Sequence, residues 1–181
     1  KDLGIAGSAL SLKQPPPALP DEVETLSSLD TSYLCVTDSQ GNVFSATPSD
    51  GSYHGPVVPG LGFVPSCRGV QSWAEEGHPS EIGPYRRPRL TPNPALAIQG
   101  RKFMPFGTPG GDVQTQAMLQ TVLNLVVWGM GPQEAVEAPR FASYSFPSSF
   151  EPHAENPGLL RLEGRIARDT GEELAGLGHK V

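Results

Sequence analysis

The chain has 181 residues, which is enough for one domain with a hydrophobic core. Its formal net charge is −6 at pH 7, which argues against a surface for nucleic acid or for an anionic membrane. Cys35 and Cys67 are too few for a disulfide framework or a zinc site, and no apolar run is long enough to span a membrane. The 21 glycines and 20 prolines predict many turns, or irregular backbone that a large partner covers.

Residues 1–30 differ from the rest of the chain. A proline cluster is followed there by an acidic stretch, with no sustained hydrophobic period. We interpret this region as a linker or as the end of a preceding segment. No signal peptide is recognisable and the chain does not begin with Met, so the compartment stays open between cytoplasm and periplasm or exterior.

Two β-hairpins are predicted in the first half of the remaining chain. The first has strands at 33–37 and 43–47 around the turn sequence DSQGN, and the second has strands at 95–98 and 102–106 around QGR. Cys35 lies in the middle of a predicted strand, where a small buried side chain is expected. The Gly/Pro-rich stretch between the hairpins contains two short apolar runs, at 56–58 and 61–64, that fit either strands or extended loop.

Helices are predicted only in the second half. The sequence GTPGGDVQTQAMLQTVLNLVVWGM places Asp112 as a candidate N-cap before a run with helical spacing. A short helix should begin at Pro132, residues 141–158 read as loop, and a last helix should cover 172–179 and end at Gly178. Strands followed by helices predict an α+β fold, with helices packed on an antiparallel sheet.

The step from Asp30 to Thr31 opens the first hairpin. A Thr hydroxyl is a poor nucleophile unless a base is close, and an N-terminal Thr has its own α-amine as that base. Such an enzyme would first cut the bond between Asp30 and Thr31. Alternation places Ser45, Thr47 and Ser49 on one face of the return strand, either as a polar solvent face or as a source of a hydroxyl that orients Thr31. On the hairpin alone, an ordinary Thr at a strand start is the simpler interpretation.

The segment GTPGGD, at 107–112, exposes backbone N–H groups that can hold a phosphate or an oxyanion, although a tight strand–helix turn is the alternative. It lacks the Gly-Lys-Ser/Thr of a P-loop. The basic run YRRPR, at 85–89, is either a solvated loop or a site for a substrate carboxylate. The four histidines are widely separated, so neither a metal site nor a cofactor is expected.

The order of these motifs is more specific than any one of them. An Asp-Thr-Ser strand start, D-x-x-G-N-x-x-S-x-T, RRPR…PNPAL, GTPGGDVQTQ, EAVEAPR and a final GH-K-V together resemble the small subunit of the gamma-glutamyltransferase (gamma-glutamyltranspeptidase) family. The resemblance covers 31–181 and implies an N-terminal-nucleophile hydrolase. It implies an αββα sandwich to which this chain supplies the small-subunit part. A large subunit from the same precursor would complete the heterodimer.

The resemblance also implies roles for individual residues. Thr31 matches the family's nucleophile, which self-cleavage at Asp30–Thr31 would release. Ser49 lies where the family has a second hydroxyl residue that hydrogen-bonds the nucleophile. Gly110 and Gly111 match the pair of glycines whose N–H groups form the oxyanion hole. The implied activity is that of an amide hydrolase or acyltransferase acting on a small-molecule amide through an acyl-enzyme.

The positions that match the family's substrate-recognition residues are altered. Gly51 stands in place of an Asn, Arg68 in place of a Gln, and Gln71 in place of an Asp, while a pair of serines becomes Leu90 and Thr91. A neutral Gln71 cannot pair with the α-ammonium of a γ-glutamyl group. Arg68 instead suggests an acyl group with a carboxylate and no amine, as in cephalosporin-acylase-like and oxamate-amidase-like relatives.

Two further interpretations compete with a self-processing enzyme. A family member that is inactive or unprocessed would keep the fold and act as a binding or structural protein. A phosphate-binding module built on the Gly-rich turn is disfavoured, because the necessary Lys and metal-binding carboxylates are missing.

Overall fold

The structure is a computed structural model that describes residues 31–50 and 55–181. Within these residues, six strands pair into three two-stranded antiparallel sheets, and three α-helices accompany them. The predicted linker 1–30, Asp30 and Gly51 lie outside the described residues.

The first hairpin consists of β1 (Leu34–Thr37) and β2 (Val43–Ala46), as predicted. Its register pairs Leu34 with Ala46 and Val36 with Phe44, so these side chains share one face of the hairpin. Asp38 closes the turn, where its carboxylate accepts hydrogen bonds from the side chain and the backbone of Asn42. These bonds hold the pKa of Asp38 below its usual value.

The prediction that Cys35 is buried is wrong. It occupies the middle of β1, but its side chain is exposed. The sheet has only the strands β1 and β2 among the described residues, so a position in the centre of a strand is not at the centre of a covered sheet.

The second hairpin, β3 (Ala95–Gln99) and β4 (Lys102–Phe106), confirms the prediction around QGR. It lies beside the first hairpin, and the Ser45 hydroxyl donates to the Ala95 carbonyl at 3.0 Å. Between the hairpins, the apolar runs at 56–58 and 61–64 are loop, and a 3₁₀ helix spans Cys67–Gln71. The two hairpins thus stand side by side, with the 3₁₀ helix on the chain segment that connects them.

The central helix α1 (Gln114–Val126) follows a 3₁₀ turn at Gly111–Val113. Asp112 is not its N-cap, which is Val113. The Asp112 carboxylate is engaged by Ser149 instead, accepting from the Ser149 N–H at 2.7 Å and from its hydroxyl. A contact 37 residues away along the chain therefore replaces the local cap.

Two shorter helices complete the set. Helix α2 (Pro132–Glu137) begins at its proline as predicted. Helix α3 (Arg168–Gly176) begins four residues before the predicted start at 172, and its chain then turns through Gly178, whose φ is +100°. The helix itself ends at Gly176, two residues before the predicted end, and Gly178 forms the left-handed turn that follows it.

The loop predicted at 141–158 begins in fact with a strand. Strand β5 (Phe141–Ser143) pairs with β6 (Leu160–Leu162). On its other edge, the side-chain amides of Gln116 and Gln120 in α1 bond to the backbone of β5. The three residues of β5 are too few for a periodic signal, and their partners lie far away along the chain, so local reading of the sequence misses this strand.

Few apolar side chains are buried in the described residues: Met118, Ala135, Ala142 and Leu160. Large apolar side chains are exposed on both hairpins. The described chain has no helix with the length and apolar character needed to cross a membrane. Strands and helices in separate stretches give the α+β class that the sequence predicted.

Candidate active site

The nucleophile candidate Thr31 and its predicted partner Ser49 lie opposite each other. They form an antiparallel bridge that extends the first hairpin. The Thr31 and Ser49 hydroxyl oxygens are 2.6 Å apart, a short hydrogen bond in which either oxygen can donate. Strand alternation thus brings together two hydroxyls that are 18 residues apart in the chain.

Arg68 reaches this pair from the 3₁₀ helix. Its Nε and Nη2 donate to the Ser49 carbonyl at 3.2 and 2.7 Å, and Nη2 also donates to the Ser49 hydroxyl. Its Nη1 donates to the Gln71 side-chain oxygen at 3.0 Å and to the Thr91 hydroxyl at 3.1 Å. The guanidinium therefore links Ser49 to Gln71 and Thr91.

The other predicted substrate-binding residues occupy three kinds of position. Gln71 is fully buried and Thr91 nearly so, and both contact Arg68. Leu90 is exposed and lines a neighbouring cleft with Asp112 and Gly111 rather than the cavity at Thr31. Gly51 lies outside the described residues, so its predicted role stays a prediction.

Gly110 and Gly111 form the turn before α1, with φ values of +130° and +56° that favour glycine. The buried Gln114 side chain is oriented so that both its amide oxygen and its amide nitrogen form hydrogen bonds. The oxygen accepts from the Gly111 N–H at 3.3 Å, and the nitrogen donates to the Thr91 and Thr108 carbonyls. Gln114 thus holds the glycine turn against the segment that carries Thr91. A long bond of 3.3 Å is weak, so the Gly111 N–H can take a second acceptor.

Tyr33 connects the strand that begins near Thr31 to the Gly-rich segment. Its hydroxyl lies 3.0 Å from the Ser45 hydroxyl, and its ring packs directly on Gly107. A Cβ atom at Gly107 would come within 2.3 Å of this ring, so glycine is required there for a steric reason. The contact fixes the distance between β1 and the start of GTPGGD.

Six of the predicted residues line one cavity of about 440 Å³: Thr31, Ser49, Arg68, Thr91, Gly110 and Gly111. The sequence prediction missed the opposite wall, which comes from the segment after β5 and includes Tyr144, Phe146, Phe150 and Asn156. The aromatic residues of that segment were the available signal, but nothing local indicates that it folds back over the glycine turn.

Arg89 holds this wall in place. It donates from Nε to the Ser149 hydroxyl at 2.8 Å and from Nη2 to the Pro147 carbonyl, and Asp112 lies 3.7 Å away. The neighbouring Arg86 pairs with Glu81 at 2.6 Å. Hydrogen bonding from the Gly77 backbone, and then from Arg86, lowers the pKa of Glu81. Two arginines of YRRPR therefore make contacts within the chain, outside the lining of the cavity.

The arrangement suits nucleophilic chemistry. A hydroxyl with a short hydrogen bond faces the same cavity as a turn of two glycines with left-handed φ angles, whose N–H groups can hold an oxyanion. Among residues 31–50 and 55–181, no three or more His, Cys, Asp or Glu side chains group into a potential metal site.

Comparison with known families gives one match over nearly the whole chain. The model of the family described as Gamma-glutamyltranspeptidase matches residues 8–181.

Curated relatives include enzymes with different substrates in their names. The chain is 32% identical over 157 residues to the acylase ACY 1 proenzyme of Pseudomonas sp. (strain V22), covering 85% of this chain and 26% of the relative. It is 31% identical over 166 residues to the glutathione hydrolase proenzyme of Pseudomonas sp. (strain A14), covering 81% and 28%. It is 30% identical over 157 residues to the oxamate amidohydrolase proenzyme of Klebsiella pneumoniae subsp. pneumoniae, covering 84% and 28%. The chain thus spans about a quarter of the length of these relatives.

Solved structures agree on the fold. The structure of LmbA2991HD is similar with a TM-score of 0.73 and 41% identity, over 82% of this chain and 27% of the other. The acivicin-inhibited gamma-glutamyltranspeptidase has a TM-score of 0.66 at 24% identity, over 82% of this chain and 81% of the other. The fold is therefore the α+β fold of the N-terminal-nucleophile hydrolases, as the sequence predicted.

Proposed function

Because the chain belongs to the gamma-glutamyltranspeptidase family, we propose that it is the catalytic part of a self-processing amide hydrolase or acyltransferase with Thr31 as N-terminal nucleophile. The observation that carries this proposal is the 2.6 Å contact between the Thr31 and Ser49 hydroxyls beside the glycine turn. An ordinary Thr at a strand start would not need a hydroxyl partner inside a cavity.

The proposed reaction begins when the α-amine of Thr31 takes the proton of its own hydroxyl. The Thr31 oxygen then attacks the amide carbonyl carbon, and the N–H groups of Gly110 and Gly111 stabilise the oxyanion, each good donor being worth about 3 kcal/mol. Collapse of this intermediate breaks the C–N bond, and the α-ammonium gives its proton to the departing amine. An ester between the acyl group and Thr31 remains.

The second half of the reaction releases the acyl group. Water, or an acceptor amine, attacks the ester carbonyl carbon while the α-amine of Thr31 takes the attacking proton. The ester C–O bond then breaks, and the proton returns to the Thr31 oxygen. Water gives hydrolysis and an amine gives transfer, so one acyl-enzyme serves both activities.

Self-processing uses the same hydroxyl. The Thr31 oxygen attacks the Asp30 carbonyl carbon, the Asp30–Thr31 C–N bond breaks as the proton of the Thr31 hydroxyl passes to the departing Thr31 nitrogen, and the chain continues through an ester. Water hydrolyses that ester, which leaves a new carboxylate at Asp30 and a free α-amine at Thr31.

We also propose a large-subunit partner. The chain spans about a quarter of its curated relatives, and the apolar face of β1 and β2 is exposed, with Val36 at 57% and Phe44 at 59%. A contiguous apolar face of this kind is typical of an interface. A large subunit from the same precursor would cover it.

The proposed substrate is an amide whose acyl group lacks an α-ammonium. Gln71 is neutral and fully buried, and it contacts Arg68 rather than lining the cavity. Asp112 is the one carboxylate among the described residues that line the cavity; it accepts from the N–H and the hydroxyl of Ser149, and its charge is already paired with Arg89, whose Nη2 lies 3.7 Å from it. An ammonium would therefore find no free carboxylate among these residues, and burying it unpaired costs several kcal/mol.

Intact mass measurement of the complete gene product tests the function. We expect two fragments, one with Thr31 as its new N-terminus, and turnover of a simple amide. The Thr31→Ala variant should stay uncleaved and inactive, whereas Thr37→Ala, at an exposed threonine of the same hairpin, should behave as the wild type. An intact and inert wild type would instead support a binding or structural protein. Strong turnover of a γ-glutamyl anilide would refute the substrate proposal.

A further inference from the structure

We propose that Arg68 is a positioning residue that sets the direction of the hydrogen bond between Ser49 and Thr31. The inference deepens the proposed function and rests on Thr31 as the nucleophile. It differs from the expectation that Arg68 binds a carboxylate of the substrate.

All five N–H groups of the guanidinium are used within the chain. Nε donates once, to the Ser49 carbonyl at 3.2 Å. Nη2 donates to the carbonyl and to the hydroxyl of Ser49, and Nη1 donates to Gln71 and Thr91. An arginine has five such donors and no acceptor, so binding a substrate carboxylate would require some of these bonds to break.

The bonds to Ser49 have a chemical consequence. A guanidinium can only donate, so the Ser49 oxygen accepts from Arg68 and its own hydrogen is available for the Thr31 oxygen, 2.6 Å away. If Ser49 donates to Thr31, the hydrogen of Thr31 is free to point to the α-amine. Arg68 and Ser49 exchange no proton in this arrangement.

The same direction assists the release of the acyl group. When the ester C–O bond breaks, negative charge develops on the Thr31 oxygen, and a Ser49 hydroxyl that donates to it stabilises that charge. Donation from a cation polarises the Ser49 hydroxyl and strengthens its own hydrogen bond. The positive charge of Arg68 thus acts on the nucleophile through one intervening hydroxyl.

The surroundings of Arg68 favour a fixed role. Gln71 is fully buried and Thr91 is 6% exposed, and each accepts from Nη1. The backbone N–H of Arg68 bonds to the Ser66 hydroxyl at the start of the 3₁₀ helix. A planar fork held on both sides suits arginine, and the single ammonium of a lysine could not satisfy all these acceptors.

Steady-state kinetics of the complete gene product with two anilides distinguishes the roles. Glutaryl and butyryl anilides differ in the terminal carboxylate. We expect Arg68→Gln to lower kcat by about 100-fold for both anilides and to leave both KM values nearly unchanged, because the nucleophile is misplaced. Arg68→Lys should lose less. A rise in KM for the glutaryl anilide alone would overturn the proposal in favour of substrate binding.

A double-mutant cycle with Ser49→Ala tests the route through Ser49. In that background, Arg68→Gln should change kcat by less than about 3-fold, since the two residues act as a unit. Fully additive losses would overturn the proposal. Arg101→Gln, at an exposed arginine in the turn between β3 and β4 and outside the cavity lining, is the matched control and should match the wild type.

The failures are distinguishable. A wild type that neither cleaves itself nor turns over any amide refutes the proposed function, and the inference about Arg68 with it. An active wild type with additive losses, or with a loss confined to KM, refutes the inference alone. Unchanged thermal unfolding of Arg68→Lys ensures that its kinetics report on position rather than on misfolding.

Discussion

The two faces of the first hairpin have opposite chemistry. One face carries Tyr33 and Ser45 and continues to the bridged pair Thr31 and Ser49, which line the cavity. The other face carries apolar side chains, with Leu34, Val36 and Phe44 all exposed. Residues that alternate along the same two strands thus contribute to two different surfaces.

This contrast separates what the chain completes from what it leaves open. Most of the hydroxyl face is satisfied within the chain, because Ser49 accepts from Arg68 and Ser45 donates to the Ala95 carbonyl. The buried Thr47 hydroxyl is the exception, with no hydrogen-bond partner among the described residues. The apolar face is left to solvent in the described residues. Since exposing large apolar side chains forgoes about 25 cal/mol for each Å² left unburied, that face is the place to expect a partner.

The largest expected effect comes from a charge on the apolar face. Val36→Glu would place an unpaired carboxylate in the proposed interface with the large subunit, at a cost of about 3–5 kcal/mol. We expect the two pieces of the complete gene product to separate on affinity purification and gel filtration. Thr37→Glu, one residue further and on the opposite face, is the control and should leave the complex intact. Equal recovery of the complex with both variants would contradict the assignment of this face.

A smaller effect is expected where the hydroxyl face meets the glycine segment. Gly107→Ala places a Cβ within 2.3 Å of the Tyr33 ring, and overpacking of this kind costs about 1–3 kcal/mol. Gly107→Ala should lower the unfolding temperature. Gly164→Ala is the control, because its Cβ meets open space, and it should leave the unfolding temperature unchanged. In a Tyr33→Ala background, Gly107→Ala should cause no further loss of stability. An additive loss in that pair would mean that another contact requires the glycine.

Local pattern was sufficient for the elements that carry the proposed nucleophile. Alternation in 33–37 and 43–47 gave the hairpin, and the turn chemistry of Asp38 to Asn42 agrees with the observed register. The pairing of Thr31 with Ser49 follows from that register. These features lie within 20 residues of one another, where sequence period and turn type determine the structure.

Contacts between distant segments were beyond such reasoning. Asp112 is a residue type that favours the N-cap position, but its carboxylate accepts hydrogen bonds from Ser149 instead. Strand β5 is held by hydrogen bonds from Gln116 and Gln120 of α1. The role of Arg68 depends on the packing of the 3₁₀ helix against Ser49. Each of these outcomes is decided by a competition between local and long-range hydrogen bonds, which one sequence does not resolve.

The smallest expected effect lies in the turn of the first hairpin, between β1 and β2. The hydrogen bonds from Asn42 lower the pKa of Asp38 in the folded protein, so the carboxylate stabilises the fold at pH values above its unfolded pKa of about 3.8. This stabilisation is lost as the pH falls below about 3.8 and through the folded pKa. Between pH 6 and 3, the unfolding temperature should therefore fall less steeply for Asp38→Asn than for the wild type. The difference should be small because the turn is exposed. Asn42→Ala should reduce the same pH dependence while keeping the carboxylate. A shift of the strand pairing by one residue would exchange the two faces of the hairpin. A large drop in the unfolding temperature of Asp38→Asn, together with loss of activity, would therefore show that the turn, rather than the strand pairing, holds the register.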